Sequence, residues 1–235
     1  MWNIAVKPLV ERVWGFLMVD DIKKRFAEAK IELTEKQLLQ MDRMIEFLQE
    51  YCQKVNLTAI RDREGIIEKH LIDSVLPLTL TQVQNGARCL DIGTGAGFPA
   101  VPMMIYRSDL QFTLLDAQQK RTVYLQQLLE RLELKAEIIH GRAEELCRKD
   151  GYKSAYDMVT ARAVGSLPLL LGYACPFLRK GGRFAAMRGS AEEAQDEVEK
   201  AVRKLRMEKV EDVSYRLPEG DGRKLVVFRR LTGVG

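Results

Sequence analysis

A chain of 235 residues that is 46% hydrophobic and 30% charged can fill one good core and a small appendage, which excludes a mainly disordered protein. Its four cysteines, Cys52, Cys89, Cys147 and Cys175, form no C-x-x-C pair, and its two histidines, His70 and His140, stand far apart. Neither a disulfide framework nor a metal site is expected, and the cysteines read as reduced thiols in the cytoplasm; the formal net charge of +4 permits a nucleic-acid partner without requiring one.

Near the N-terminus an apolar run over 13–19 follows Lys7 and Arg12 in the manner of a signal. A membrane span needs about 20 apolar residues, and no small-residue cleavage site precedes Asp20-Asp21 and Lys23-Lys24-Arg25, so a soluble helix packed on the domain is expected instead. Over 34–55 the apolar positions Leu38, Met41, Ile45, Leu48 and Cys52 recur at three- and four-residue spacings. This predicts an amphipathic helix capped by Thr34. A second helical stretch is predicted over 64–80, before Asn85-Gly86 breaks the pattern. Residues 1–80 therefore read as a helical N-terminal segment packed on the core, and 81–235 as the main domain.

Beyond Ala87 short apolar runs at 88–92, 111–115, 135–140, 156–161 and 183–187 alternate with helices, which predicts right-handed βαβ crossovers and a parallel sheet covered on both faces. A helix over 192–207, alternating in acids and bases, precedes two further strands, 208–217 and 224–231. The Pro218-Glu219-Gly220-Asp221-Gly222 link suits an antiparallel hairpin. The predicted fold is α/β and Rossmann-like, with seven strands mostly parallel behind the helical segment.

The strongest chemical signal is Leu90-Asp91-Ile92-Gly93-Thr94-Gly95-Ala96-Gly97-Phe98-Pro99, where a strand runs into three alternating glycines and then a helix that Pro99 is expected to open. Such glycines let a ligand approach the backbone closely. A dinucleotide fingerprint, G-x-G-x-x-G/A, needs a small last residue, and here that position is Phe98. G-x-G-x-G after an acid is instead the pattern of Rossmann-like S-adenosylmethionine-dependent methyltransferases. Asp91 can hold the ammonium end of that cofactor, directly or through water. Asp116, at the end of the second strand, can accept from both ribose hydroxyls. Alone, an Asp there is more simply a helix cap; paired with the glycine loop, the cofactor role prevails. Gly141-Arg142-Ala143-Glu144 supplies backbone and a carboxylate where adenine should lie.

Over about residues 31–231 the chain resembles the bacterial methyltransferases that modify guanosine at N7 in 16S ribosomal RNA, formerly called glucose-inhibited division protein B. The marks are Val55-Asn56-Leu57-Thr58, His70-Leu71-Ile72-Asp73-Ser74, the loop 91–99, Leu115-Asp116 with Lys120-Arg121, Gly141-Arg142-Ala143-Glu144 and Thr160-Ala161-Arg162-Ala163. The resemblance implies cofactor contacts at Gly93, Phe98, Ala143, Glu144 and Arg162, beside Asp91, Gly95, Gly97 and Asp116 read from the residues. It also implies substrate-side roles for Asn56, His70 and Asp73. Ala100 stands where the family usually has glycine and Arg188 where lysine is expected. Arg188 can bind phosphate or guanine as a fork, or be a surface cation, and the first 20 or so residues read as an extension.

Apart from the resemblance, the case for RNA rests on Lys120, Arg121, Arg142, Arg162 and Arg188, cations at strand ends and adjoining loops, where α/β sheets place their ligands. The expected activity is methyl transfer to N7 of a guanosine in 16S ribosomal RNA, displayed on a small-subunit precursor or particle, by a cytoplasmic monomer. The glycine loop by itself equally fits another RNA, a protein or a small molecule as acceptor. A binding protein without turnover would show a damaged loop, and a nicotinamide dehydrogenase is disfavoured by Phe98.

Overall fold

The computed structural model describes residues 19–162, 165–189 and 195–232. Seven strands, β1 (Arg88–Ile92), β2 (Gln111–Asp116), β3 (Glu137–His140), β4 (Tyr156–Arg162), β5 (Leu178–Gly189), β6 (Met207–Arg216) and β7 (Gly222–Arg230), form one sheet in the order β3-β2-β1-β4-β5-β7-β6. β1 to β5 pair in parallel, and β7 runs antiparallel between β5 and β6. The chain builds outward from β1 to β3 on one side and then crosses back to β4 on the other. That reversal makes the C-terminal ends of β1 and β4 the switch point, where an open α/β sheet leaves a crevice for a ligand.

Period-two alternation divides the core between the two faces of the sheet. Cys89, Phe112, Leu114, Met158, Leu225 and Val227 point to one face. It is covered by α1 (Asp20–Glu28), α2 (Glu35–Cys52), the helical stretch before β1, α6 (Ala100–Tyr106) and α7 (Gln119–Leu132). Leu90, Ile92, Leu115, Val159 and Phe228 point to the other, beneath α8 (Ala143–Leu146), α9 (Leu167–Ala174) and α10 (Gln195–Lys204). The N-terminal helices thus belong to the same apolar cluster as the sheet: Ile22, Phe26, Met41, Met44 and Leu48 are fully buried in it.

Several elements differ in detail from expectation. The helical stretch expected over 64–80 is built in pieces: α3 (Arg63–Ile66), a π-helical turn (Ile67–Ile72), α4 (Asp73–Val75) and α5 (Pro77–Leu80). The wide turn carries Lys69 and His70 and is followed directly by Asp73, and Arg162 bonds to all three. Local periodicity holds no trace of it, because that partner lies about ninety residues away in sequence. Pro99, expected at an early helical position, is the N-cap of α6. β5 starts at Leu178 and passes through Gly181-Gly182, where the pairing with β4 shifts register, so glycines hid its first half. Residues 13–18 of the apolar run and 192–194 of the last predicted helix lie outside the described residues. Among the described residues no helix is long and apolar enough to cross a membrane, and no cluster of three potential metal ligands occurs.

The capping expected at Thr34 is a reciprocal box. Thr34 Oγ1 accepts from the Gln37 amide at 3.3 Å and Gln37 Oε1 accepts from the Thr34 amide at 2.8 Å. Gln37 Nε2 also donates to the carbonyls of Ile105 and Tyr106, tying the start of α2 to the end of α6. Thr34→Ala should therefore cost about 1 kcal/mol of stability and Gln37→Ala about 2 kcal/mol, since it also strands two carbonyls. Urea denaturation of both variants checks the order; equal losses would mean that the α6 contact contributes nothing.

Candidate active site

The loop after β1 is drawn over the end of β2 by two amides, Gly93 N and Thr94 N, which both donate to the Leu115 carbonyl at 2.8 and 3.2 Å. Gly93, Gly95 and Gly97 all have positive φ, at 70°, 59° and 91°, a region that favours glycine. Their roles differ. A Cβ on Gly95 would meet nothing nearer than the Gly93 carbonyl at 3.8 Å, so open space lies over it, whereas one on Gly97 would fall 2.8 Å from Val101 Cγ2. Gly97 is required by packing against α6, and Gly95 leaves room for a ligand.

Two carboxylates flank this loop. Asp116 is almost fully buried; its Oδ2 accepts from Gly95 N at 2.9 Å and its Oδ1 from Gln118 N at 2.8 Å, ahead of α7. The carboxylate thus fixes the turn before α7 and the glycine loop together, but it does not cap the helix, whose N-cap is Gln118. Arg121 approaches the same carboxylate at 3.5 Å. Asp91 is wholly buried. Its Oδ1 accepts from Thr160 Oγ1 at 2.7 Å, and its Oδ2 has no hydrogen-bond partner. Burial pushes its pKa up to about 6, against the opposing pull of the Thr94 and Thr160 hydroxyls and the Arg162 charge.

Arg162, the last residue of β4, organises the rest. Its guanidinium donates from Nη1 to the Lys69 carbonyl at 3.2 Å and to Asp73 Oδ2 at 3.1 Å, and lies 3.3 Å from His70 Nδ1 through Nη2. It sits 5.3 Å from the centre of the Phe98 ring, within cation–π range, and the His70 ring stacks on Phe98 at 4.5 Å. Burial pulls the Arg162 pKa down, while Asp73 and Asp91 hold it up. His70 Nε2 pairs with Thr58 Oγ1 at 2.8 Å. Burial first, and the Arg162 charge second, depress the His70 pKa to about 4, so the imidazole is neutral at physiological pH. Asp73 Oδ1 completes the cluster, accepting from Tyr215 Oη at 3.2 Å and facing Arg223 Nε at 3.3 Å.

A cleft of about 510 Å³ opens beside this cluster, lined in part by His70, Asp73, Arg162 and Arg188. Three of the four residues proposed for the substrate side thus come together with Arg162. The fourth, Asn56, does not line the cleft; it is exposed and accepts from Arg61 Nη2 at 3.4 Å. Ala143 and Glu144 follow β3, whose last residue pairs with Asp116. Ala143 is buried. Hydrogen bonds from the backbone N–H of Glu144 itself first, and from the Tyr173 hydroxyl second, lower the Glu144 carboxyl pKa. Sequence reasoning missed Thr160, Tyr215 and Arg223. Thr160 stood in a motif already singled out, but the β6–β7 residues carry no local sign that their strands fold back against the π turn.

An acid-then-glycine loop at the switch point of a sheet with one reversed strand defines a Rossmann-like class I S-adenosylmethionine-dependent methyltransferase. The fold agrees with the crystal structure of a methyltransferase from Pyrococcus furiosus, at a TM-score of 0.59 and 17% identity, covering 81% of this chain and 97% of that one. A family model described as rRNA small subunit methyltransferase G matches residues 37–226. Proteins named ribosomal RNA small subunit methyltransferase G from Lactococcus lactis subsp. cremoris and Acetivibrio thermocellus are similar in sequence. The first is 36% identical with 90% of each chain covered; the second is 41% identical, covering 84% of this chain and 81% of the relative. The chain belongs to the rRNA small subunit methyltransferase G family.

The depressed His70 pKa has a measurable consequence. The unfolded state takes up a proton near pH 6.5 and the folded state only near 4, so the stability His70 contributes is present above 6.5 and lost as pH falls through 4. Between pH 7.5 and 5 this amounts to about 2 kcal/mol. Urea unfolding of the native protein and of His70→Gln at both pH values should show the variant losing less stability by about that amount; equal losses would mean a folded-state pKa close to the ordinary one.

Proposed function

We propose that this protein transfers the methyl group of S-adenosylmethionine to N7 of a guanosine in 16S ribosomal RNA, presented on a small-subunit precursor or particle, and that it acts as a monomer in the cytoplasm. Residues 81–235 form the methyltransferase domain in this reading, with 1–80 as a helical segment closing one face. The observation that carries it is the wholly buried Asp91 carboxylate, whose Oδ2 accepts no hydrogen bond, together with the open space over Gly95 in the loop that follows. A buried carboxylate oxygen without a hydrogen bond is costly; the Thr94 hydroxyl is one donor close to this carboxylate, and the ammonium of S-adenosylmethionine supplies a charged one. The residues fit the rest of the cofactor in the same sense. Asp116 keeps lone pairs beyond its two backbone bonds for the ribose diol, and Gly93, Gly97 and Phe98 shape the loop. Ala143 and Glu144 stand on the adenine side, and Arg162 sits between cofactor and acceptor.

S-adenosylmethionine supplies an electrophilic methyl group; the N7 lone pair forms the new N–C bond while the C–S electron pair returns to sulfur. No proton moves, so no general base is required. The work of the chain is to align acceptor and methyl group and to exclude water. His70, Asp73 and Arg188 stand on the acceptor side, with Asn56 on the neighbouring loop. Neutral His70 serves as a positioning residue.

The Asp91 pKa near 6 gives cofactor binding a pH dependence. Its carboxyl gains a proton as pH falls through 6, and only the carboxylate pairs with an ammonium. Affinity for S-adenosylmethionine should fall about tenfold between pH 7.5 and 5. In Asp91→Asn affinity should be weaker and nearly flat with pH; calorimetry giving equal pH dependence in both proteins would remove Asp91 from the site.

The function itself is tested with small-subunit particles from bacterial cells lacking the corresponding enzyme, methylated in vitro and mapped by strand scission specific for N7-methylguanosine. One new scission site in 16S RNA is expected. Methyl incorporation elsewhere, or into protein, would overturn the reading.

A further inference from the structure

Beside the acceptor cleft a second, larger one of about 660 Å³ lies along β5, β7 and β6 where α9 and α10 flank the sheet, with Leu167, Gln195 and Val198 in its lining, and the two share Arg188 and Arg223. The second adds Lys209, Arg216 and Lys224 and a single carboxylate, Asp212; the first adds Lys69 and Arg162 with Asp73. Among the described residues the two linings hold seven cations against two carboxylates, an excess of five positive charges. The whole chain carries only +4, so its basic character is concentrated here.

Strand register arranges these side chains in rows. Arg188 on β5 pairs with Lys224 on β7, which pairs with Ser214 on β6, so the three share one face across about 10 Å of sheet. Two steps along, Asp212 is opposite Val226 and bridges both Lys209 at 2.8 Å and Lys224 at 3.0 Å. These lysines are 47% and 42% exposed and Asp212 is 33% exposed. Ion pairs so exposed are weak, so the lysines can exchange their shared carboxylate for an incoming anion. Of the two aromatic residues in the lining, half-buried Tyr215 has its hydroxyl on Asp73 and Phe228 is fully buried. Among the described residues the lining thus offers no exposed ring to stack on bases, as a single-strand reader would require.

We propose that the β5–β7–β6 face is a track for the phosphate backbone of the RNA acceptor, with Lys209 and Lys224 as phosphate ligands and Asp212 as a carboxylate that weakens the grip. The inference rests on the RNA reading above and adds where the RNA runs: from the acceptor cleft, past Arg188 and Arg223, onto this face. The contacts are to backbone, so they fix position and carry no sequence preference.

The test uses the full chain, protein-free 16S RNA and the methyl-acceptor particles described above. Binding to each is measured across a salt series, with S-adenosylmethionine affinity as the control for folding. Lys224→Ala and Lys209→Ala should each weaken binding several-fold at low salt and flatten the slope of log affinity against log salt by about one. Asp212→Asn should tighten binding and steepen the slope, a gain that damage to the fold would not produce. Unchanged slopes in all three variants, with the native protein still methylating the particle, would overturn the track and leave the function standing. Failure of the native protein to methylate the particle would instead remove the function. Altered binding to the particle alone, with protein-free RNA unaffected, would mean that this face meets a protein and would also overturn the proposal.

Discussion

The structure turns on one buried guanidinium. Arg162 is 15% exposed at the end of β4, a place where an uncompensated charge is not sustainable. Everything that compensates it comes from elsewhere in the chain: the Lys69 carbonyl from the π turn and Asp73 from the start of α4, the Phe98 ring from the glycine loop, and the Asp91 charge from β1. Asp73 is in turn held by Tyr215 and Arg223 on β6 and β7. The need to satisfy one cation therefore fastens the N-terminal helices, the glycine loop and the hairpin to the same point. Removing one partner of such a buried pair typically costs about 3–5 kcal/mol.

The same charge sets the chemistry around it. It helps burial to keep His70 neutral and partly offsets the burial that raises Asp91. The site thus combines a carboxylate that can accept a cationic ligand, an imidazole with little appetite for a proton, and a cleft rich in positive charge. That combination suits the transfer of a methyl cation equivalent to a neutral ring nitrogen, in which charge passes from sulfur to purine and no proton has to be removed.

The sheet was legible in the sequence because each strand carries its own apolar run between breakers, and β1 was read to the residue. The hairpin followed from its turn chemistry. The glycine loop and Asp116 were legible because backbone conformation and ligand approach demand particular residues at fixed spacing. What could not be read is long-range. The π turn exists around Arg162, the Asp116 carboxylate ties down Gly95, and Gly97 answers to Val101 as much as to any ligand. His70 shows the same limit. Its identity marked it as a candidate, but its depressed pKa depends on burial and on a guanidinium 92 residues away.

The central claim is that methyl transfer proceeds by alignment, with no residue acting as a base. The most direct measurement is the single-turnover rate of methyl transfer at saturating cofactor and particle, followed from about pH 6.5 to 8.5 with RNA integrity checked at each point. A rate that is flat across this range, in the native protein and in a slower His70→Gln, is the predicted result. A rise of unit slope with pH in the native protein that disappears on replacing His70 would show that a base is required and would contradict the claim.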